Sequence, residues 1–260
     1  MNQPMKLYLI TGASRGIGAA LARALLRQGH ALRCVSRGPH LPLQTLVGQS
    51  GLPFVSLQAD LSDPGAWPDV AAQLLDGVTP KGLSGICLIH NAAQLDPIAP
   101  VGSPLNDPQR IAQLFHLNVL APLALTQAFV EQVQDWPIGK QVLNISSGAG
   151  RSPRQGWSSY CSSKAALDMY SQCLAAEQAA RPYPVRVVSL APGIVDTEMQ
   201  AQIRAQDAAN FPEVARFARL HAEGALWSPD RVAAGICTLL DDPAYGQTVL
   251  LDLRTLPAST

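Results

Sequence analysis

Residues 6–18, KLYLITGASRGIG, decide the fold that the sequence predicts. The first six residues form an apolar run that predicts a buried strand, and the apolar residues that recur from Ile17 onward predict a helix. Three glycines between them allow a tight turn that brings backbone N–H groups and the helix N-terminus against a pyrophosphate. Their spacing, G-x-x-x-G-x-G, differs from G-x-G-x-x-G, so a glycine turn without a ligand is the alternative interpretation.

The alternation of strands and helices continues along the chain. Further short apolar runs predict strands at residues 31–36, 52–57, 85–89, 141–145, 185–190 and 248–251. Helical patterns separate these runs, and we find no internal repeat. We therefore expect one α/β domain over residues 1–260, a Rossmann-type, doubly wound fold with a mainly parallel seven-stranded sheet and helices on both faces.

The composition argues against several functional classes. The 260 residues are 47% apolar and 15% charged, and 19 basic residues balance 19 acidic ones. No run of like charge marks a nucleic-acid or membrane partner, and the longest apolar runs are too short to span a bilayer. Five scattered cysteines and an N-terminus unlike an export signal predict a cytoplasmic protein with reduced thiols. The five histidines lack metal-ligand spacing, so we expect no metal site.

The end of the second predicted strand indicates which dinucleotide binds. An NAD-selective site offers Asp or Glu about twenty residues beyond the glycine turn, but this chain has Ser36 and Arg37 there. A hydroxyl and a guanidinium suit a 2′-phosphate, and Arg15 adds a second cation. The sequence therefore predicts NADP(H) rather than NAD(H), the alternative being that both arginines are merely solvated.

Other predicted loops at the same sheet edge offer cofactor contacts. Asp60 suits either the adenine amino group or a helix cap, and the small residues after Asn91 suit either a ribose or a plain turn. Pro192 and Gly193 predict a sharp turn before a helix start near Thr197. The full predicted cofactor set is Gly12, Ser14, Arg15, Gly16, Ile17, Gly18, Ser36, Arg37, Asp60, Leu61, Asn91, Ala92, Ala93, Tyr160, Lys164, Pro192, Gly193, Ile194, Val195 and Thr197.

Residues 156–164, GWSSYCSSK, place Tyr160 and Lys164 four positions apart, on one face of a predicted helix. An ammonium about 5 Å from a phenolate stabilises it by roughly 3 kcal/mol at an effective dielectric near 20. We therefore predict a Tyr160 pKa well below its ordinary value, which would let the phenol exchange a proton near neutral pH. The alternative is an ordinary helix with a solvated lysine.

Two further segments indicate a reaction centre. Asn118 is a poor helix former inside a long helical pattern over residues 107–134, and Pro122 would free its carbonyl, which predicts a local kink. The fifth strand delivers Ser146 and Ser147 to the ligand-binding edge of the sheet. These serines lack a G-x-S-x-G context, which argues against a hydrolase.

The segment 196–226 is helical by pattern but interrupted by Pro212. It predicts a partly mobile lid with an apolar underside, and a rigid pair of surface helices is the alternative. The candidate walls of a substrate pocket are aromatic, and each is alternatively a core residue. They are Trp157, Phe211, Phe217 and Trp227.

These motifs, in this order, resemble the short-chain dehydrogenase/reductases over nearly the whole chain. The resemblance implies that Tyr160 is the general acid/base and that Lys164 lowers its pKa while holding the nicotinamide ribose. It also implies that Ser147 orients the carbonyl oxygen and that Asn118 anchors a water relay behind Lys164. The substrate set that follows is Ser147, Trp157, Tyr160 and Phe211.

Within this family, residues 156–178, 191–200 and 221–229 look most like the sepiapterin reductase and benzil reductase branch. That branch reduces one carbonyl of a vicinal diketone or of a diketone-like pterin side chain. Pterin-type enzymes hold the pterin with a C-terminal aspartate, whereas here Leu253 falls at that place and Asp252 lies one residue early. The resemblance therefore implies an NADPH-dependent diketone or ketone reductase that forms a homodimer or homotetramer. A pterin reductase, a 3-oxoacyl reductase and a non-catalytic nucleotide sensor are the alternatives.

Overall fold

The computed structural model describes residues 5–256, apart from the side chains of residues 41 and 42. Within that range, seven strands form one parallel sheet in the order β3-β2-β1-β4-β5-β6-β7, which confirms the predicted fold class. The sheet is wholly rather than mainly parallel. The strands are β1 (Lys6–Thr11), β2 (Ala31–Ser36), β3 (Phe54–Gln58), β4 (Gly85–His90), β5 (Gly139–Ile145), β6 (Val185–Ala191) and β7 (Leu250–Asp252).

Helices cover both faces of the sheet, so the strands are apolar on both sides. The helices are α1 (Gly16–Arg27), α2 (Leu41–Ser50), α3 (Trp67–Leu75), α4 (Pro108–Phe115), α5 (Ala121–Val133), α6 (Ser158–Gln178), α7 (Glu198–Arg204), α8 (Val214–Ala222) and α9 (Pro229–Asp241). Strand β1 shows the division between the two layers. Tyr8 and Ile10 pack with α1 and α9, whereas Leu7 and Leu9 pack with α3 and α5.

Some predicted strand limits were wrong by one to three residues. The third strand was predicted at residues 52–57 but begins at Phe54, because Pro53 has no N–H and only its carbonyl pairs, with Leu32 N–H. The last strand was predicted at 248–251 but runs from Leu250 to Asp252. Residues 244–247 form a turn there, closed by the bond from Gln247 N–H to the Ala244 carbonyl.

The helix predicted over residues 107–134 is divided into α4, a π-helical turn at His116–Leu120, and α5. Ala121 N–H donates to the His116 carbonyl, and Pro122 has no N–H to donate to Asn118, which explains the predicted distortion. By length and mean hydropathy, Pro108–Val133 could cross a membrane. In this fold Leu125, Phe129 and Val133 of that segment pack into the core.

Candidate active site

A cavity of about 1020 Å³ opens at the carboxyl ends of the strands. It extends from the glycine turn after β1 to α7, and it crosses the boundary between β1 and β4, where the strand order reverses. Parallel α/β sheets bind ligands at this switch point, because the loops on its two sides diverge and leave a crevice. The cavity therefore lies where the sequence predicted a dinucleotide.

The glycine turn is shaped by close packing. Gly12 and Gly16 have φ of 71° and 56°, and a Cβ on Gly12 would lie 2.8 Å from the Ala92 Cα. The side-chain amide of Asn91 donates to the carbonyls of Thr11 and Gly12, at 3.1 and 2.9 Å. Asn91 therefore fastens the turn to the end of β4, a role that the sequence did not reveal.

The N-terminus of α1 can receive an anion. Its N-cap residue, Arg15, is extended and makes no side-chain cap, which leaves the first N–H groups of the helix without a side-chain acceptor. Gly16 begins the helix and lines the cavity together with Ser14 and Ile17. Uncapped N–H groups at a helix N-terminus suit a pyrophosphate, so the residues present fit a dinucleotide.

The far end of the cavity contains the residues predicted to select the cofactor. Ser36, Arg37 and Arg15 line it, and Arg15 forms an ion pair with Glu198 at the start of α7. Asp60 also lines the cavity, and its Oδ1 accepts hydrogen bonds from the Ser62 N–H and hydroxyl, at 2.9 and 2.7 Å. Asp60 closes a local turn and does not cap a helix.

Asp63 is the residue that caps the next helical segment, which begins at Pro64. Its side chain accepts a hydrogen bond from the Gly65 N–H at 2.9 Å. The helix-cap interpretation of Asp60 was therefore wrong by three residues.

Asn118 is fully buried and clamps the segment that follows β4. Its Oδ1 accepts from Gln94 N–H at 2.9 Å, and its Nδ2 donates to the Gln94 carbonyl at 2.8 Å and to Ser163 Oγ at 3.1 Å. Ser163 lies between Tyr160 and Lys164 on α6, and Gln94 lines the cavity. The π-helical turn therefore connects the cavity wall to the helix that carries the tyrosine and lysine.

Ser147, Tyr160 and Lys164 meet on one wall of the cavity. Ser147 caps a short 3₁₀ turn at Gly148–Gly150, where its Oγ accepts from Ala149 N–H at 3.1 Å. That turn packs tightly on α6, because a Cβ on Gly150 would lie 2.8 Å from the backbone carbonyl carbon of Lys164. All three residues that the sequence analysis assigned to the reaction centre thus line the same cavity.

The predicted lowering of the Tyr160 pKa is wrong for this cavity. Burial raises the pKa of the Tyr160 phenol to about 12, and a hydrogen bond with Ser147 opposes this shift. The Lys164 ammonium lies 5.8 Å from the Tyr160 ring centroid and donates to the Ile145 carbonyl at 2.9 Å. Burial also lowers the pKa of Lys164 to about 8, partly offset by Asp168. Desolvation therefore exceeds the attraction that the sequence argument considered.

Only part of the predicted aromatic set lines the cavity. Trp157 and Phe217 contribute to its wall. Phe211 is fully buried and stacks behind Trp157, with ring centroids 4.7 Å apart. Trp227 packs at the edge of the main core beneath the Arg231 guanidinium. The pocket-wall predictions for Phe211 and Trp227 are therefore wrong, because both rings are committed to packing contacts.

Two polar residues of the substrate end, Gln200 and Arg254, were missed by the sequence analysis. The side-chain nitrogen of Gln200 is buried in the cavity wall, and it has no hydrogen-bond partner within the described residues. The same holds for Trp157 Nε1 and Ser146 Oγ. The cavity thus presents buried donors that a ligand could satisfy. Arg254 also lines it, and Asp252 binds that arginine.

A family model described as short chain dehydrogenase matches residues 6–208. This chain belongs to the short-chain dehydrogenase family. It is 36% identical over 250 residues to benzil reductase ((S)-benzoin forming) of Bacillus cereus, covering 95% of this chain and 100% of that protein. It is 35% identical over 246 residues to sepiapterin reductase of Meriones unguiculatus, covering 91% and 92%. The predicted resemblance to this branch is confirmed.

Among solved structures, the chain resembles a short-chain dehydrogenase from Sphingobium yanoikuyae in complex with NADPH. The TM-score is 0.74 and the identity 26%, covering 97% of this chain and 89% of that chain. Family membership makes this protein an oxidoreductase, and the family together with this NADPH-bound neighbour supports the nicotinamide cofactor that the resemblance implied.

Proposed function

We propose that this protein is an NADPH-dependent carbonyl reductase that converts one carbonyl of a vicinal diketone, such as benzil, into a hydroxyketone. The observation that carries the proposal is the convergence of Ser147, Tyr160 and Lys164 on one cavity wall. The Ser147 hydroxyl can hydrogen-bond to a carbonyl oxygen, the buried Tyr160 phenol can protonate that oxygen, and the buried Lys164 ammonium lies beside the phenol.

In this proposal, the bound cofactor supplies the hydride that becomes the new C–H bond at the carbonyl carbon. Tyr160 donates its hydroxyl proton to the carbonyl oxygen, so that the C=O double bond becomes a C–OH group. Ser147 hydrogen-bonds to the same oxygen and orients it. The phenolate left on Tyr160 is stabilised by Ser147 and by the Lys164 ammonium, and it is reprotonated from solvent.

The raised pKa of Tyr160 supports its role as the proton donor of this reaction. With a pKa of about 12, the phenol is protonated at neutral pH and is therefore ready to donate. Carbonyl reduction needs a proton donor, whereas alcohol oxidation needs the phenolate as a base.

We propose NADPH rather than NADH because arginines lie where an NAD-selective site has an acidic residue for the ribose 2′-hydroxyl. Arg37 and Arg15 line the cavity, and charge-assisted hydrogen bonds from guanidinium groups suit a phosphate. The NADPH complex of the Sphingobium relative is consistent with this choice. Arg37→Ala should weaken NADPH binding by about tenfold and leave NADH binding nearly unchanged; equal effects on the two cofactors would refute the selection.

A diketone is proposed over a pterin because of the C-terminal residues. Asp252 Oδ1 and Oδ2 accept hydrogen bonds from the Arg254 guanidinium at 2.9 and 2.5 Å, and Arg254 is the residue that lines the cavity. A paired aspartate is not available to hold a pterin ring. Gln200 and Trp157 supply buried donors for a second carbonyl oxygen, and the benzil reductase relatives act on such a compound by name.

The remaining proposals concern organisation. We propose that residues 1–260 form one cytoplasmic domain in which residues 196–226 close over substrate. The support is that α7 and α8, within that segment, contribute Gln200 and Phe217 to the cavity.

We also propose a homodimer or homotetramer, since Leu120 and Met169 are large apolar residues exposed on neighbouring helical segments. Light scattering coupled to size-exclusion chromatography measures the oligomeric state, and a monomeric mass would refute this part.

The central test is Tyr160→Phe with Tyr170→Phe as its matched control on the same helix. NADPH oxidation is followed with benzil, phenylpropanedione and sepiapterin. We expect diketone turnover to fall by about 10²–10⁴-fold in Tyr160→Phe and to be retained in Tyr170→Phe, with NADPH affinity unchanged in both. Ordinary turnover in Tyr160→Phe would end the assignment, and sepiapterin as the sole reduced compound would favour the pterin alternative.

A further inference from the structure

A chain of hydrogen bonds passes through His40 from β3 to the cavity wall. His40 is 1% exposed and directly precedes α2. Its Nδ1 lies 2.7 Å from Ser56 Oγ, and its Nε2 lies 2.9 Å from Ser36 Oγ. Ser36 Oγ in turn lies 2.7 Å from the Gly38 carbonyl oxygen. Ser36, Arg37 and Gly38 line the cavity where we place the 2′-phosphate.

The three contacts fix the direction of every hydrogen in the chain. Ser36 has one hydroxyl hydrogen, which it donates to the Gly38 carbonyl. The contact between His40 Nε2 and Ser36 Oγ then needs a hydrogen from the imidazole. With Nε2 protonated, Nδ1 of a neutral ring is an acceptor, and Ser56 donates to it. One neutral tautomer therefore satisfies all three bonds.

The surroundings of His40 favour that neutral form. Burial lowers the pKa of the imidazole, and the Phe54 ring packs edge-on with centroids 6.3 Å apart. The ring is held on both nitrogens and on one edge, so it has little freedom to turn. Its Nε2–H consequently remains aimed at Ser36 Oγ.

We propose that His40 is a positioning residue for the 2′-phosphate of NADPH, acting through the hydroxyl of Ser36. The proposal rests on the NADP preference of the proposed function. When a phosphate arrives, the Ser36 hydrogen turns from the Gly38 carbonyl to a phosphate oxygen, while Nε2–H continues to donate to Ser36 Oγ. A hydroxyl that accepts a hydrogen bond is a stronger donor, so His40 strengthens the contact that it does not itself make.

Binding of 2′,5′-ADP and 5′-AMP to the full chain, measured by calorimetry, isolates this contact. These two probes differ by the 2′-phosphate alone, and neither requires turnover. We expect His40→Phe, which keeps a buried aromatic ring without nitrogens, to weaken 2′,5′-ADP by about tenfold. The reason is that Ser36 loses the hydrogen bond that strengthens its contact with the phosphate. The affinity for 5′-AMP should remain within about twofold of the wild type, because 5′-AMP has no 2′-phosphate for Ser36 to bind.

Rescue and coupling distinguish positioning from general damage to the fold. His40→Gln places an amide nitrogen near the position of Nε2, and it should recover most of the 2′,5′-ADP affinity. If His40 acts only through Ser36, the double variant with Ser36→Ala should bind 2′,5′-ADP no more weakly than Ser36→Ala alone. Additive losses, or equal losses for the two probes in His40→Phe, would overturn the proposal.

Measurements on the wild-type protein distinguish the role of His40 from the NADP preference on which it rests. If it binds 5′-AMP as tightly as 2′,5′-ADP, the NADP preference is refuted before any variant is measured. If it prefers 2′,5′-ADP and His40→Phe keeps that preference, the cofactor assignment stands and the role of His40 is refuted.

Discussion

Replacing Lys164 with methionine should stabilise this protein while abolishing its chemistry. Lys164 is 2% exposed, and burial lowers the pKa of its ammonium from an ordinary 10.5 to about 8. One pKa unit corresponds to about 1.4 kcal/mol, so the buried charge costs about 3 kcal/mol at pH 7. Methionine has a similar length and no charge, but it loses the bond to the Ile145 carbonyl, worth about 1 kcal/mol. The net gain should be about 2 kcal/mol.

The pH dependence of this gain has a definite sign. Between pH 8 and 10.5 the unfolded chain still holds the Lys164 proton that the folded chain has released, so the stability of the wild type rises with pH. At pH 9 the cost of the buried charge is about 2 kcal/mol. The advantage of Lys164→Met should therefore shrink by about 1 kcal/mol between pH 7 and pH 9.

Urea unfolding at the two pH values, followed by far-UV circular dichroism, measures both quantities. Lys81→Met removes an exposed lysine and serves as the control, with little change in stability at either pH. Diketone reduction should be lost in Lys164→Met and kept in Lys81→Met. The reasoning fails if Lys164→Met is less stable than the wild type at pH 7, or if its advantage is the same at pH 9.

Asn118→Ala removes a buried amide that makes three hydrogen bonds, so we expect the free energy of unfolding to fall by about 2–4 kcal/mol and kcat to be lower. Unchanged stability would contradict the role of Asn118 in holding the segment after β4. Asp168→Asn removes the carboxylate that raises the Lys164 pKa, so the alkaline fall in the rate of reduction should move to lower pH; a fixed profile would exclude this coupling. Gly156→Ala would place a Cβ 2.3 Å from the Asn210 carbonyl oxygen, which lies before α8, so KM should rise. The control is Gly224→Ala, which also has a positive φ but has open space around the added Cβ, and in which KM should rise less.

The sequence predicted the fold because its signals are local. Buried strands of a parallel sheet are short apolar runs. The glycine turn after β1 needs φ values that only glycine adopts easily. Tyr160 and Lys164 share a face of α6 for the same reason, since positions four apart on a helix are neighbours. The kink at Asn118 followed from Pro122, whose missing N–H acts within one helical turn.

The errors lie where distant segments meet. Phe211 was predicted to face substrate, but it stacks behind Trp157 from a segment fifty residues away along the chain. Trp227 was also predicted to be a pocket wall, but it packs at the edge of the main core, where its backbone pairs with Val195. In both cases the choice between packing and exposure depended on a neighbour that the sequence does not place.

By itself, the sequence determined the parallel α/β architecture, the glycine turn and the placing of Tyr160 and Lys164 on one helix face, because periodicity and backbone restrictions act over a few positions. Only the tertiary structure decided how those residues titrate. Tyr160 and Lys164 are both buried by elements from other parts of the chain, so water is removed from each and the pKa of the phenol rises while that of the amine falls. Desolvation depends on everything that surrounds a group, and that is known only once the chain has folded.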